Sequence, residues 1–434
     1  MGSFILVRWV ALRVCFIVLV VQLHLALGWR YPPPLFANLF GGGQDHTESA
    51  WEGLCKVSII SHGYKCQDFH VTGLDGYIMG LERIPEGCSS SGDDAKKKPP
   101  VLLQHGVLVD GMTWMIGSPK ESLAFVLADS GFDVWISNTR GTRSSKRHVS
   151  LDESQQEYWN WTWDDVAKND LPAIVDFVYN QTGQKLHYIG HSMGTTIAMA
   201  ALSEGRLADQ LSSLSLLSPV AYMNLMTNAM AVLTANAFIG ELGDMLGMEE
   251  FDLRKVLSVK NFWPNGQFAA QLFSGVCKRI GGIDLDNLVT KFISQNCCLN
   301  STAFQFAMDH ALQSTSMKNI VHFSQTFRNG GFLKKYDYGS PSQNMKHYGK
   351  PEAPGYNLCN IPRNLPMFLS FGGNDKVADV KDVNHLLEDL KTHDKDKITT
   401  HFVSKYAHMD FIFAMDVKEQ VYNTLIDFLR RMSS

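Results

Sequence analysis

At 434 residues the chain is long for one domain, yet an α/β core carrying an inserted cap reaches this length without a second independent core. An apolar content of 45% and a net charge of only −4 describe an ordinary globular chain, and with no basic stripe they exclude a nucleic-acid-binding protein. The AKKK run near position 96, between SSSGDD and PP, reads as a solvated loop.

In chain order the first segment is MGSFILVRWVALRVCFIVLVVQLHLALGWR, in which Arg8 and Arg13 precede a run of about ten apolar residues and Ala26 and Gly28 sit at cleavage-like spacing. Residues 1–28 are therefore expected to be a secretory signal peptide. An uncleaved anchor is the alternative, but Gln22 and His24 interrupt a run already short for a membrane span. Gly2 fits the start of a myristoylation signal, which export would override. A Pro/Gly-rich leader, YPPPLFANLFGGG, follows, and YKCQDFHVTGLDGYIMGLERIP then reads as an antiparallel hairpin turning at Asp75-Gly76.

From there strand-like runs (VLLQHGV, FDVWISN, LHYIG, LSLLSPV, MFLSFGGND, TTHFVS) alternate with helical stretches such as LPAIVDFVYNQ and VKDVNHLLEDLK. Such alternation predicts an α/β fold with a mostly parallel sheet and helices on both faces. It stops between about Tyr222 and Tyr348, where Met, Phe and Leu recur at helical spacing. The expected organisation is a first core part at 29–221, a helical cap at 222–348 and a second core part at 349–434. Any single Met or Phe of the cap is read as packing; the insertion as a whole suits an apolar cover for a lipid substrate.

Eight cysteines include Cys15 in the leader, so an odd number stays in the mature chain and at least one thiol is free. Cys55 and Cys66 flank a short turn, and Cys277 has both Cys297 and Cys298 within reach, but spacing does not decide the pairing. No CxxC or matching histidine pair suggests a metal. Sequons at Asn160, Asn180 and Asn300 are candidate glycosylation sites of an exported protein.

The chemistry centres on LHYIGHSMGTTIAMA, a strand that runs into a helix through Gly190-His-Ser192-Met-Gly194. A bend that sharp needs glycines two residues either side and leaves one hydroxyl exposed, so Ser192 is the candidate nucleophile rather than part of an ordinary Gly-rich turn. Further candidates follow other strands: His408 as the base that takes the serine proton, and Asp375 as the acceptor that fixes the imidazole tautomer. Asp379, in NDKVAD, is the rival acid. The order Ser, Asp, His is that of the α/β-hydrolases. Backbone N–H groups of Val107, after His105-Gly106, and of Met193 are the candidate oxyanion donors.

Together LLQHGV, SNTRGTRSSKRH, WTWDDVAKNDLPAIVDFV, YIGHSMGTT, YDYG, FGGNDKVADVKDV and YAHMDF resemble the acid lipases of the gastric and lysosomal type, and within that family its plant triacylglycerol lipases most closely. The motifs fall in the family's order and cover nearly the whole mature chain. The resemblance implies an α/β-hydrolase core with a cap, hydrolysis of triacylglycerols or sterol esters at a lipid–water interface, no cofactor, and Ser192, Asp375 and His408 as the triad. It points to a secreted or vacuolar (lysosome-like) location. The chain departs from the family at Val107, where leucine is usual, at Met193, where animal members carry glutamine, and at Ser144-Ser145, which replaces a bulkier pattern. The same triad also serves an esterase or acyltransferase of short or specialised acyl groups; a lipid carrier without turnover needs no complete triad.

Overall fold

The computed structural model describes residues 53–88, 97–226, 241, 247–252, 307 and 310–433. The signal peptide, Cys15, Cys277, Cys297, Cys298 and Asn300 lie outside the described residues, as does much of the expected cap.

Strands β1 (Gln67–Thr72) and β2 (Tyr77–Ile84) pair antiparallel from Gln67↔Arg83 to Thr72↔Ile78. Gly76 between them takes φ +99°, which a side chain resists, and the Gly73 N–H donates to the Tyr77 carbonyl at 2.7 Å to close the turn. Then come β3 (Pro100–Gln104), β4 (Asp133–Ser137), β5 (Arg147–His148), β6 (Leu186–His191), β7 (Leu211–Leu217), β8 (Glu250–Asp252), β9 (Ser314–Ser316), β10 (Met367–Gly372) and β11 (Ile398–Val403). The main sheet runs β1-β2-β4-β3-β6-β7-β10-β11, with β5 on β2, and is parallel from β4 to β11. Every residue of β3, β4, β6 and β10 is buried, as strands covered on both faces require.

The helices are α1 (Leu123–Asp129), α2 (Leu171–Thr182), α3 (Met193–Ser203), α4 (Met317–Arg328), α5 (Pro341–Tyr348), α6 (Val380–Asp389) and α7 (Asn423–Met432). Leu102, Trp135, Tyr188, Met367 and Leu369 pack with Ile174 and Val175 of α2, Ile197 and Ala201 of α3 and Leu386 of α6. Phe368, one step out of phase and so on the other face, meets Phe428 of α7 with ring centroids 5.5 Å apart. Within the range expected to be a helical cap, the described residues include α4 and α5 but also the two-stranded antiparallel pair β8–β9. Helical spacing of apolar residues gives no hint of β9, because Ser314, Thr315 and Ser316 carry no apolar side chain.

Cys55 and Cys66 form a disulfide, and Cys88 and Cys359 are free and exposed. Among the described residues no helix is long and apolar enough to cross a membrane.

Candidate active site

The carboxyl edge of the parallel strands brings the candidates together, as the crevice of a doubly wound sheet does. Ser192 joins β6 to α3 with φ +53° and ψ −120°, a conformation sparsely populated by residues with a side chain. The flanking glycines are what allow it. A Cβ on Gly190 would stand 2.7 Å from the Gly194 backbone, and one on Gly194 would collide with the Gln104 carbonyl oxygen at the end of β3. The Ser192 carbonyl then starts the helix by accepting the Thr195 N–H at 2.8 Å.

His408 follows β11 and Asp375 follows β10. His408 Nε2 lies 2.8 Å from Ser192 Oγ, and its Nδ1 lies 3.0 and 3.2 Å from the two oxygens of Asp375. The two loops can meet because Gly372 and Gly373 leave room: a Cβ on either would strike the carbonyl oxygen of Tyr406 or Ser404. Burial alone would raise the Asp375 carboxyl, but the His408 ring and the N–H groups of Val377 and Ala378, each donating to Oδ1 at 2.8 Å, outweigh it and hold the acid below its ordinary range. Asp379 is elsewhere employed, accepting the Lys381 N–H at 2.9 Å as the N-cap of α6.

The loop after β3 passes directly against the serine, since a Cβ on Gly106 would be 3.1 Å from that of Ser192. His105 pins this loop: its Nδ1–H donates to the Gly106 carbonyl at 2.7 Å and its Nε2 accepts the Thr139 N–H at 3.0 Å. Burial pushes its pKa down to about 4, so it keeps this one-proton form. Val107 lies next in the loop, and Met193 occupies the first position of α3, where a backbone N–H has no intrahelical acceptor. Asn160 and Asn180 are both exposed, Asn160 accepting from Lys318 Nζ at 2.7 Å.

Three contributors to this arrangement escape sequence reading. His191 sits beside the serine with its Nε2 2.9 Å from the His408 carbonyl oxygen, and Ser218, after β7, donates to the same oxygen at 3.3 Å. Gln313 braces the loop beyond Val107: its N–H donates to the Leu108 carbonyl at 2.8 Å, and Leu108 carries a positive φ of 64°. Gly-His-Ser-Met-Gly marks His191 only as the variable position before the serine, and no local pattern links Gln313 to a loop two hundred positions earlier.

Residues 99–414 match the family described as the alpha/beta hydrolase fold, and residues 56–118 match a partial alpha/beta-hydrolase lipase region. The chain is 44% identical over 392 residues to triacylglycerol lipase 2 of Arabidopsis thaliana, spanning 90% of this chain and 91% of that protein. It is 36% identical over 381 residues to the human lysosomal acid lipase/cholesteryl ester hydrolase, spanning 86% and 90%. In fold it is similar to a soluble variant of monoglyceride lipase from Saccharomyces cerevisiae, with a TM-score of 0.54 at 16% identity over 85% of this chain and 97% of that one. The chain belongs to the acid lipase family of α/β-hydrolases and is a carboxylic ester hydrolase.

Proposed function

We propose that this hydrolase is a secreted or vacuolar lipase that cleaves the carboxylic esters of neutral lipids, triacylglycerols and sterol esters, at a lipid–water interface. The observation that carries the reading is the unbroken connection Ser192 Oγ to His408 Nε2 to Asp375, at 2.8 and 3.0 Å, with the serine on a strained turn. Ser192 attacks the acyl carbonyl as His408 takes its proton, and Asp375 steadies the imidazolium that results. The N–H groups of Val107 and Met193 receive the charge on the tetrahedral oxygen. Collapse expels the alcohol, protonated by His408, and leaves acyl-Ser192. A water deprotonated by His408 then releases the fatty acid, and no cofactor enters the cycle.

Around this core the reading assigns residues 1–28 to a signal peptide, 29–221 and 349–434 to the hydrolase core and 222–348 to the cap, with N-linked sugar on Asn160, Asn180 or Asn300. Support comes from the names of the relatives, one a triacylglycerol lipase and one a lysosomal cholesteryl ester hydrolase.

Hydrolysis of emulsified triolein, cholesteryl oleate and a soluble short-chain ester, compared across pH, tests it. A long-chain ester should be the better substrate, and Ser192→Ala should abolish both turnover and labelling by an active-site phosphonate. Asp375→Asn should cost far more activity than Asp379→Asn. Turnover of the short ester alone would reassign the chain to a general esterase, and a reversed ranking of the two aspartates would move the acid to Asp379.

A further inference from the structure

We infer that His191 and Ser218 are positioning residues that together clamp the backbone carbonyl of His408 and so fix where its imidazole stands against Ser192. The inference deepens, and rests on, the reading of Ser192, His408 and Asp375 as a triad. His408 lies in a loop after β11, and loops at a sheet edge are the mobile part of such a site. A general base must stay within hydrogen-bond reach of its proton, and a displacement of about 1 Å costs on the order of 100-fold in rate.

The Asp375 contact restrains the ring from one side only. The carbonyl restraint acts on the backbone behind it. His191 Nε2 lies 2.9 Å from that oxygen, and because a carbonyl only accepts, the proton must sit on Nε2. Ser218 Oγ donates to the same oxygen at 3.3 Å, and its own N–H is held by the Ser370 carbonyl at 2.9 Å. Both donors come from the rigid ends of β6 and the strand beside it, β7, so the histidine loop is tied to the sheet that carries the nucleophile. The ring centroids of His191 and His408 are 5.0 Å apart.

A second feature speaks against a mere packing role. The Nδ1 of His191 is buried and, among the described residues, has no hydrogen-bond partner. A buried unpaired nitrogen is destabilising, so an apolar ring of similar size would serve stability better. Retaining histidine there makes sense when the Nε2–H is needed. Ser218 likewise holds a positive φ of 49°, unfavourable for serine, while aiming its hydroxyl at His408.

The test compares His191→Phe, His191→Gln and Ser218→Ala in the full chain. The readouts are the rate of Ser192 phosphonylation, kcat and KM on a soluble short-chain ester, and the thermal midpoint. His191→Phe should slow phosphonylation and kcat by about 10- to 100-fold with KM within about twofold, at an unchanged or higher midpoint. His191→Gln, which keeps a donor at comparable reach, should recover most of the rate, and Ser218→Ala should lose less than His191→Phe. Wild-type rates in His191→Phe, or equal losses in the Phe and Gln variants, would overturn the clamp while leaving the triad intact. Should His191→Phe not fold, Ser218→Ala decides alone: slowed labelling supports the clamp and an unchanged rate removes it. A parent protein whose Ser192 does not react with the phosphonate would remove the triad reading, and the clamp with it.

Discussion

Glycines mark the places where two backbones of this site touch. A Cβ on Gly194 would run into the Gln104 carbonyl, a backbone atom that cannot swing aside, and Gln104 directly precedes the His105-Gly106-Val107 loop. Any relief has to push either α3 away from the sheet or the loop away from Ser192. Both movements separate the N–H groups of Met193 and Val107, which the proposed mechanism requires to converge on one oxygen. Gly194→Ala should therefore fold but lose about 100-fold in kcat/KM on a soluble ester. Near-parent activity would show that α3 slides freely on β3 and that the two donors tolerate it.

Among the elements, the segment before the first strand acts as a separate buttress. Tyr64 stacks on Phe125 of α1 with centroids 4.5 Å apart and donates to Asp129 at 2.8 Å, while the buried Leu54 reaches Gly111 in the turn beyond the Val107 loop. The Cys55–Cys66 bond closes this segment into a loop of sequence separation 11. Replacing both cysteines by serine frees the unfolded chain and should lower unfolding free energy by about 2–4 kcal/mol in a denaturant titration. kcat should hold, because no group of the proposed mechanism lies in the loop; a fall in kcat at intact folding would mean that Leu54 supports the site directly. The same segment shows what a sequence does and does not reveal. The Asp75-Gly76 hairpin, the alternating core and the placement of Ser192, Asp375 and His408 after strands are legible because they rest on local patterns of period and turn. The pairing of Cys55 with Cys66, the polar strand β9 and the Leu108–Gln313 bond are not, because each depends on partners that the chain brings together only once folded. His191 shows the limit most sharply: its partner is 217 positions away, and the motif around it explains only the serine.

At the scale of the whole molecule, buried titratable groups set opposing pH dependences that do not cancel. Burial pushes His105 and His187 down to about 4 and His191 and His322 down to about 3, against 6.5 for a free imidazole. Below pH 6.5 the unfolded chain takes up protons at these four rings that the folded chain refuses, so stability is lost as pH falls. Burial also raises carboxyls: Glu82, which accepts from Asn138 at 2.7 Å, to about 8, Asp164, its side chain 16% exposed, to about 7, and Asp170, despite its Arg140 partner, to about 6, with Asp68 and Asp382 raised as well. Between their ordinary range and those values the folded chain holds protons that the unfolded chain has released, so these groups withdraw stability as pH rises. In the acid range these four histidines oppose the three strongly raised carboxyls, of which Asp170 no longer titrates above about pH 6, and above neutrality only Glu82 and Asp164 among these groups still titrate. The thermal midpoint should therefore peak between about pH 6 and 7 and decline on both sides. Glu82→Gln keeps an acceptor for Asn138 without a titrating proton, so it should flatten the alkaline decline and, because Glu82 also opposes the histidines below pH 6.5, steepen the acid limb. A parent midpoint still climbing at pH 8 would show that Glu82 ionises at little cost in the fold. The acid limb bears on the site as well. His105 and His191 keep their single protons down to about pH 4, so mild acid lowers the stability of the molecule before it changes the hydrogen bonds that these two rings make.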